Sequence, residues 1–241
     1  MSETPLPPGA AIVVGASGGI GAALVAALEA DDRFAPVIGV SRASDPPLDI
    51  GDEATIAAFA QSLDARLDAR LGGAPLVLVI DATGLLHDER MGPERSWRDI
   101  TPDAMAIAFA VNATGPALLI KHLAPRLASE GKATFATLSA KVGSIGDNRL
   151  GGWYAYRASK AALNQIVRTA AVELRRRRPQ ALCVSLHPGT VDTRLTAPFA
   201  KVGLAVATPA EAATRLIGVL DGLAPADSGG FFDYRGEPLP W

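Results

Sequence analysis

The sequence holds a single cysteine, Cys183, among 241 residues, so it can form neither an internal disulfide nor a cysteine-built zinc cluster. Its three histidines, His87, His122 and His187, are scattered without metal-ligand spacing, and no metal is expected. Excess charge of one sign is also missing. Lys and Arg number 23 against 25 Asp and Glu, a net charge of -2, which argues against nucleic acid or an anionic membrane surface as a partner. The run Arg175 to Arg178 reads as the solvated last turn of a helix, where cations complement the carbonyl end of the dipole. No uninterrupted apolar run reaches the roughly 18 residues of a membrane span. The start, MSETPLPPGA, has neither the basic nor the apolar part of a signal peptide. A soluble, cytoplasmic chain is therefore expected.

What is present is a core-forming composition, 49% hydrophobic with 24 glycines and 18 prolines. The length and the lack of any linker or repeat predict one domain over residues 1–241. Short apolar runs of buried-strand type occur at Ala10–Val14, Pro36–Val40, Leu48–Ile50, Leu76–Ile80, Ala133–Leu138 and Leu182–Leu186, with a last one around Phe231. Helical patterns alternate with them. One carries Ile56, Phe59, Ala60, Leu63 and Leu67 behind Asp52; others start near Pro102, with Thr101 as cap, near Gly152 and near Pro209. Parallel strands need crossover helices and bury both faces, so the alternation predicts an α/β, doubly wound fold.

Between the first strand and first helix stands GASGGIG, with Gly15, Gly19 and Gly21 spaced G-x3-G-x-G. Such a turn lets backbone approach a pyrophosphate at a helix N-terminus, where free N–H groups and the positive end of the dipole lie. At the end of the second strand, Ser41 and Arg42 stand where an acid would accept from the ribose of NAD. Arginine suits a 2′-phosphate instead, so NADP is expected over NAD.

In YAYRASK, Tyr156 and Lys160 are four apart and share one helix face. A phenol with an ordinary pKa of about 10 exchanges protons poorly near neutrality. An adjacent ammonium is expected to lower that value and fit the tyrosine for acid–base work on a carbonyl or alcohol.

GASGGIG, DATG, Asn112, LSAKVGS, YAYRASK and HPGTVDT, taken in this order and spacing, resemble the short-chain dehydrogenase/reductase family across almost the whole chain, and GSIGDNRLGGWYAYRASKAALN resembles its C-factor and sniffer-like carbonyl reductase branch. The resemblance implies a Rossmann fold with a seven-stranded parallel sheet and an NADP-dependent oxidoreductase that interconverts a carbonyl and an alcohol. It implies a catalytic set of Asn112, Ser139, Tyr156 and Lys160. Gly15, Ser17, Gly19, Ile20 and Gly21 would line the pyrophosphate, and Asp49 and Ile50 the adenine. Ala82, Thr83 and Gly84 would form the wall beneath the ribose, Lys160 would contact the nicotinamide ribose, and Asn112 would support a water-linked relay through Lys160. Pro188 and Gly189 would shape the next loop, with Val191 and Thr193 meeting the carboxamide.

Several positions depart from the family pattern. Val14 replaces a common threonine, and Asp81-Ala82-Thr83-Gly84 replaces Asn-Asn-Ala-Gly. Where the family shows two serines, this chain has Ser139 and Ala140; Ser139 is the expected substrate-orienting hydroxyl, with Ser144 as its substitute. A partly apolar small substrate is expected beneath residues 86–98 and 194–208, which with Leu85 supply Leu86, Met91, Trp97, Leu195, Phe199 and Val202; Trp153 and Tyr154 would add aromatic wall. The helices holding Asn112–Leu127 and Ala161–Leu174 are the expected faces of a homo-oligomer. The alternative function is a cofactor-sensing or signalling protein on the same fold, since a fold does not dictate turnover.

Overall fold

A computed structural model of the chain describes residues 5–71, 73–199 and 206–241. The side chains of Leu67 and Phe199, and the whole of Val202, lie outside the described residues. The elements alternate as expected: β1 (Gly9–Val14), α1 (Gly19–Glu29), β2 (Phe34–Val40), α2 (Glu53–Leu71), β3 (Leu76–Asp81), α3 (Pro102–Phe109), α4 (Gly115–Leu123), β4 (Ala133–Leu138), α5 (Tyr154–Arg177), β5 (Ala181–His187), α6 (Pro209–Gly222) and β6 (Phe231–Asp233). The strands pair in parallel in the order β2-β1-β3-β4-β5-β6.

Each sheet face buries its own core. Leu24 and Leu28 of α1 and Leu216 and Leu220 of α6 pack with Val13, Ile80 and Val184 on one side. On the other, Ile56 and Phe59 of α2, Leu119 of α4 and Leu163 and Val167 of α5 pack with Ile12, Phe135 and Cys183. Each such aliphatic or phenyl side chain contributes about 1.5–3 kcal/mol on leaving water. Cys183 is an inert part of that packing, 1% exposed, and burial pushes its thiol up to about 12.

The sheet has six strands among the described residues, not seven. Leu48–Ile50, expected as a strand, is irregular because its backbone groups are spent locally. Leu48 N–H donates to the Ser41 carbonyl (2.9 Å), and the Thr55 hydroxyl both accepts from Asp49 N–H and donates to the Asp49 carbonyl (3.0 Å each). Pro46 and Pro47 just before it have no N–H to offer a ladder. β2 is left as the edge strand, a position that also tolerates Pro36.

α3 and α4 form one helical run interrupted by a π-helical turn at Ala110–Thr114, and Thr101 caps its start by accepting from Ala104 N–H. By length and composition alone the run Pro102–Arg126 is apolar enough to cross a bilayer. Here it packs against α2 and α5. Successive strands are added on one side of β1 and then on the other, so the order reverses between β1 and β3. Crevices at the carboxyl ends of strands at such a reversal are where open α/β sheets bind ligands.

Candidate active site

The glycine turn lies at that reversal. Gly15 has φ 84°, and a Cβ on it would sit 3.2 Å from the Ala82 backbone and from Thr83. Gly21 is more constrained, since its Cβ would fall 2.1 Å from the Gly15 carbonyl oxygen. Only a chain without side chains at these points can fold the turn back onto the first turn of α1. That first turn has no side-chain cap, because Gly18 stands at the N-cap. Its N–H groups and the exposed Ser17 face the crevice end of the sheet with the dipole's positive pole behind them.

Two further segments close on this turn, and Asp49 and Ile50 follow the second of them in the chain. The loop after β5 returns so that Thr193 lies 3.1 Å from where a Gly19 Cβ would be. It is held by Thr196, whose hydroxyl donates to the Val191 carbonyl and bonds the Thr193 hydroxyl at 3.2 Å. Gly189 in this loop has φ 79° and leaves room for the Tyr234 ring, 2.9 Å from its would-be Cβ. The end of β2 meets the turn directly: Gly15 N–H and Ala16 N–H both donate to the Val40 carbonyl (2.9 and 3.0 Å). Ser41 and exposed Arg42 follow at once. Ile50 packs on Gly115, where a Cβ would overlap it at 2.2 Å, and Asp49 accepts from Gly51 N–H.

The chemistry-bearing side chains come from the π-helical turn, β4 and α5. Asn112 is fully buried and engaged: Oδ1 accepts from Leu85 N–H (2.8 Å), while Nδ2 donates to the Leu85 carbonyl (2.7 Å) and the Ser159 hydroxyl (3.1 Å). It fastens the loop after β3 to α5. Lys160 is 3% exposed and donates to the Leu138 carbonyl (2.8 Å), and a Cβ on Gly84 would be 3.6 Å from its Nζ. Ser139, at the end of β4, is buried with no hydrogen-bond partner for its hydroxyl among the described residues. Ser144 is committed elsewhere, accepting from Asp147 N–H at 3.1 Å. Of the two serines, Ser139 is the one whose hydroxyl has no partner among the described residues.

Burial pushes the Tyr156 phenol above its ordinary value, and Trp153 stands edge-on to its ring at 6.2 Å. Burial is the cause of that rise, and the lowering by Lys160 that the spacing predicted does not accompany it. Tyr156 is a protonated phenol, a donor in waiting. Burial pulls Lys160 down to about 8, and Asp81 opposes that fall.

With the geometry in place, comparison with known proteins is decisive. A family model described as "Enoyl-(Acyl carrier protein) reductase" matches residues 15–216. The chain is a short-chain dehydrogenase/reductase. It is 39% identical over 145 residues to the C-signal of Myxococcus xanthus, covering 59% of this chain and 82% of that one. It is 32% identical over 197 residues to 1-hydroxy-2-glutathionyl-2-methyl-3-butene dehydrogenase of a Rhodococcus species, covering 82% of this chain and 80% of the other. Among solved structures it resembles the NADPH-bound carbonyl reductase from chicken fatty liver, at 28% identity with a TM-score of 0.84 over 98% of this chain and 100% of that one. Membership makes it an NAD(P)-dependent oxidoreductase of the carbonyl–alcohol class.

Sequence reasoning missed one residue that shapes this dehydrogenase/reductase site. Glu94, 4% exposed, reaches from the loop after β3 to the start of α5, both carboxylate oxygens accepting from Ala155 N–H at 3.2 Å. Its carbonyl also accepts from Trp153 N–H (2.6 Å), one residue before α5 begins. A capping box signals itself by local spacing, whereas a cap delivered some 60 residues earlier in the chain leaves no such pattern. Leu86 and Met91, expected as substrate wall, are 3% and 7% exposed. Met91 packs with Ala104, Ala108 and Ala155, so it anchors the loop rather than lining an open pocket.

Proposed function

We infer that this short-chain dehydrogenase/reductase interconverts a carbonyl and an alcohol on a small, partly apolar molecule, using NADP with Tyr156 as acid and base. The observation that carries the reading is that Lys160, one helical turn along α5 from Tyr156, holds the Leu138 carbonyl next to the Ser139 hydroxyl, which has no partner among the described residues, while the Lys160 Nζ lies against Gly84 in the loop after β3.

The residues present fit the cofactor. Gly15, Ser17, Gly19, Ile20 and Gly21 would hold the pyrophosphate against the uncapped first turn of α1. Ser41 and Arg42 would take the 2′-phosphate; no hydrogen bond or ion pair engages Arg42 among the described residues. Asp49 and Ile50 would meet the adenine, Ala82, Thr83 and Gly84 the ribose, and Val191 and Thr193 the carboxamide, on a loop shaped by Pro188 and Gly189. Bound NADPH supplies the hydride.

In carbonyl reduction, the Ser139 hydroxyl donates to the substrate oxygen and orients it. Tyr156 donates its phenolic proton to that same oxygen as charge builds there, and in the reverse direction its oxygen takes the alcohol proton. Lys160, as an ammonium, stabilises the phenolate left behind. Asn112 keeps the loop after β3 in place beside Lys160. The substrate lies under residues 86–98 and the segment after Thr193, which are joined where His87 Nε2 donates to the Leu195 carbonyl (3.2 Å). Self-association through α4 and α5 belongs to the same proposal, with Val172 of α5 left 49% exposed.

The test is cofactor consumption with a panel of aldehydes and ketones. NADPH is expected to be consumed with a lower KM than NADH, and Arg42→Ala to raise the KM for NADPH about tenfold while leaving NADH unchanged, an ion-paired contact being worth roughly 1.5–3 kcal/mol. A preference for NADH that Arg42→Ala does not alter contradicts the NADP assignment.

A further inference from the structure

The family position of Asp81 usually holds asparagine, and here it holds a carboxylate with no exposure to solvent. Among the described residues the carboxylate receives three donors. Oδ1 receives Thr83 N–H (3.0 Å) and the Thr83 hydroxyl (2.6 Å), and Oδ2 receives the Thr137 hydroxyl (2.7 Å). An ionised carboxylate is the form that uses three donors in this way. Its register partner across the sheet is Thr137, and the next carbonyl along β4, that of Leu138, is the one holding the Lys160 ammonium. Asp81 therefore stands at the end of β3, and the Lys160 ammonium, reaching down from α5, is held at the end of the neighbouring strand β4.

The groups around this pair are few. The loop after β3 presents Thr83 and Gly84, and the π-helical turn presents neutral Asn112. α5 presents Tyr156, a neutral phenol, and Lys160 itself. The turn Lys141–Gly143 packs Gly143 on the Lys160 stem, while Lys141 points outward to Asp147 at 3.6 Å. Burial pushes the Asp81 carboxyl up, and the donors on Thr83 and Thr137 together with the Lys160 charge oppose that rise; among the described residues Asp81 is in turn the charged group that opposes the fall burial imposes on Lys160.

We propose that Asp81 is a positioning residue for the reaction: its buried carboxylate, fixed by Thr83 and Thr137, is the counter-charge that keeps Lys160 an ammonium at the working pH. This rests on the reading of Tyr156 and Lys160 as the catalytic pair. A buried ammonium held only by the Leu138 carbonyl would lose its proton near neutrality, and the phenolate formed in each turnover would lose its stabilising charge. Asparagine fills the same space and keeps an acceptor for Thr83 N–H, so Asp81→Asn removes the charge with little change of shape.

The experiment follows Lys160 directly in cofactor-free protein carrying 13Cε-labelled lysine, the Lys160 resonance being the one lost in Lys160→Ala. Wild type is expected to titrate near 8. Asp81→Asn should lower that midpoint by about one pH unit or more. The alkaline limb of kcat for NADPH-driven reduction should move the same way, with about a fivefold loss of rate at pH 8. Thr137→Val, which withdraws one donor from the carboxylate, should give a smaller shift of the same sign and serves if Asp81→Asn does not fold. An Asp81→Asn protein that loses rate or stability with both midpoint and limb unmoved overturns the proposal while leaving the Tyr156–Lys160 reading intact. Full turnover by Lys160→Ala overturns that reading instead, and with it the role of Asp81 in turnover.

Discussion

Ser139 and Ser144 differ in what their hydroxyls already do, and that difference sets what each substitution should change. Ser139→Ala removes a hydroxyl that has no partner among the described residues, so stability should hold while turnover falls about 10²- to 10³-fold, the usual loss for one donor to a developing oxyanion. Ser144→Ala should keep turnover and lose about 0.5–1 kcal/mol, because Asp147 N–H loses its acceptor. Steady-state rates and urea melts of the two variants check both statements; the reverse pattern reassigns the role to Ser144. Tyr156 and Lys160 were expected from their types and their helical spacing, and Asn112 from the family resemblance. The sequence put Ser139 ahead of Ser144 without seeing that a turn already engages the Ser144 hydroxyl. Glu94 stayed hidden because it caps α5 from a distant loop.

The loops at the carboxyl ends of β1 and β5 carry the next tests. Gly21→Ala would put a Cβ 2.1 Å from a backbone oxygen that cannot move without opening the glycine turn. We predict at least a tenfold loss of NADPH affinity together with about 1–3 kcal/mol of stability, read by cofactor titration and thermal melting. At the end of β5, burial holds His187 down to about 4, well below its ordinary 6.5, and its Nδ1 is buried without a partner among the described residues. The fold favours the neutral ring, so the stability it confers is complete above about pH 6.5 and is lost as pH falls towards 4. Relative to His187→Gln, wild type should lose roughly 1–3 kcal/mol more between pH 7 and pH 4.5 in urea melts. Equal losses would contradict the assignment. Strands β1, β3, β4 and β5 were legible as apolar runs because they are buried on both faces. Leu48–Ile50 has the same apolar look, yet its N–H and C=O groups go to Ser41 and Thr55, a competition that hydrophobicity does not register.

For the whole molecule, the alternation of strand and helix was enough to predict a doubly wound sheet, and the reversal between β1 and β3 then placed the glycine turn, β4 and α5 around one crevice. What no local pattern supplied was how the loops are tied, His87 to the Leu195 carbonyl and Thr196 to the Val191 carbonyl within the loop after β5. The near balance of charge, 23 basic against 25 acidic residues, suits a protein whose electrostatics act at single points, Arg42 at the rim and Lys160 with Asp81 beneath the site. The central claim is that this dehydrogenase/reductase transfers a proton through Tyr156 as hydride is delivered. Its most direct test compares NADPH oxidation by wild type and Tyr156→Phe across the aldehyde and ketone panel, with NADPH affinity measured on the same samples. The account predicts a kcat lower by about 10²- to 10⁴-fold at nearly unchanged NADPH affinity. Equal turnover by both proteins, or cofactor binding by wild type with no turnover of any panel member, would contradict it.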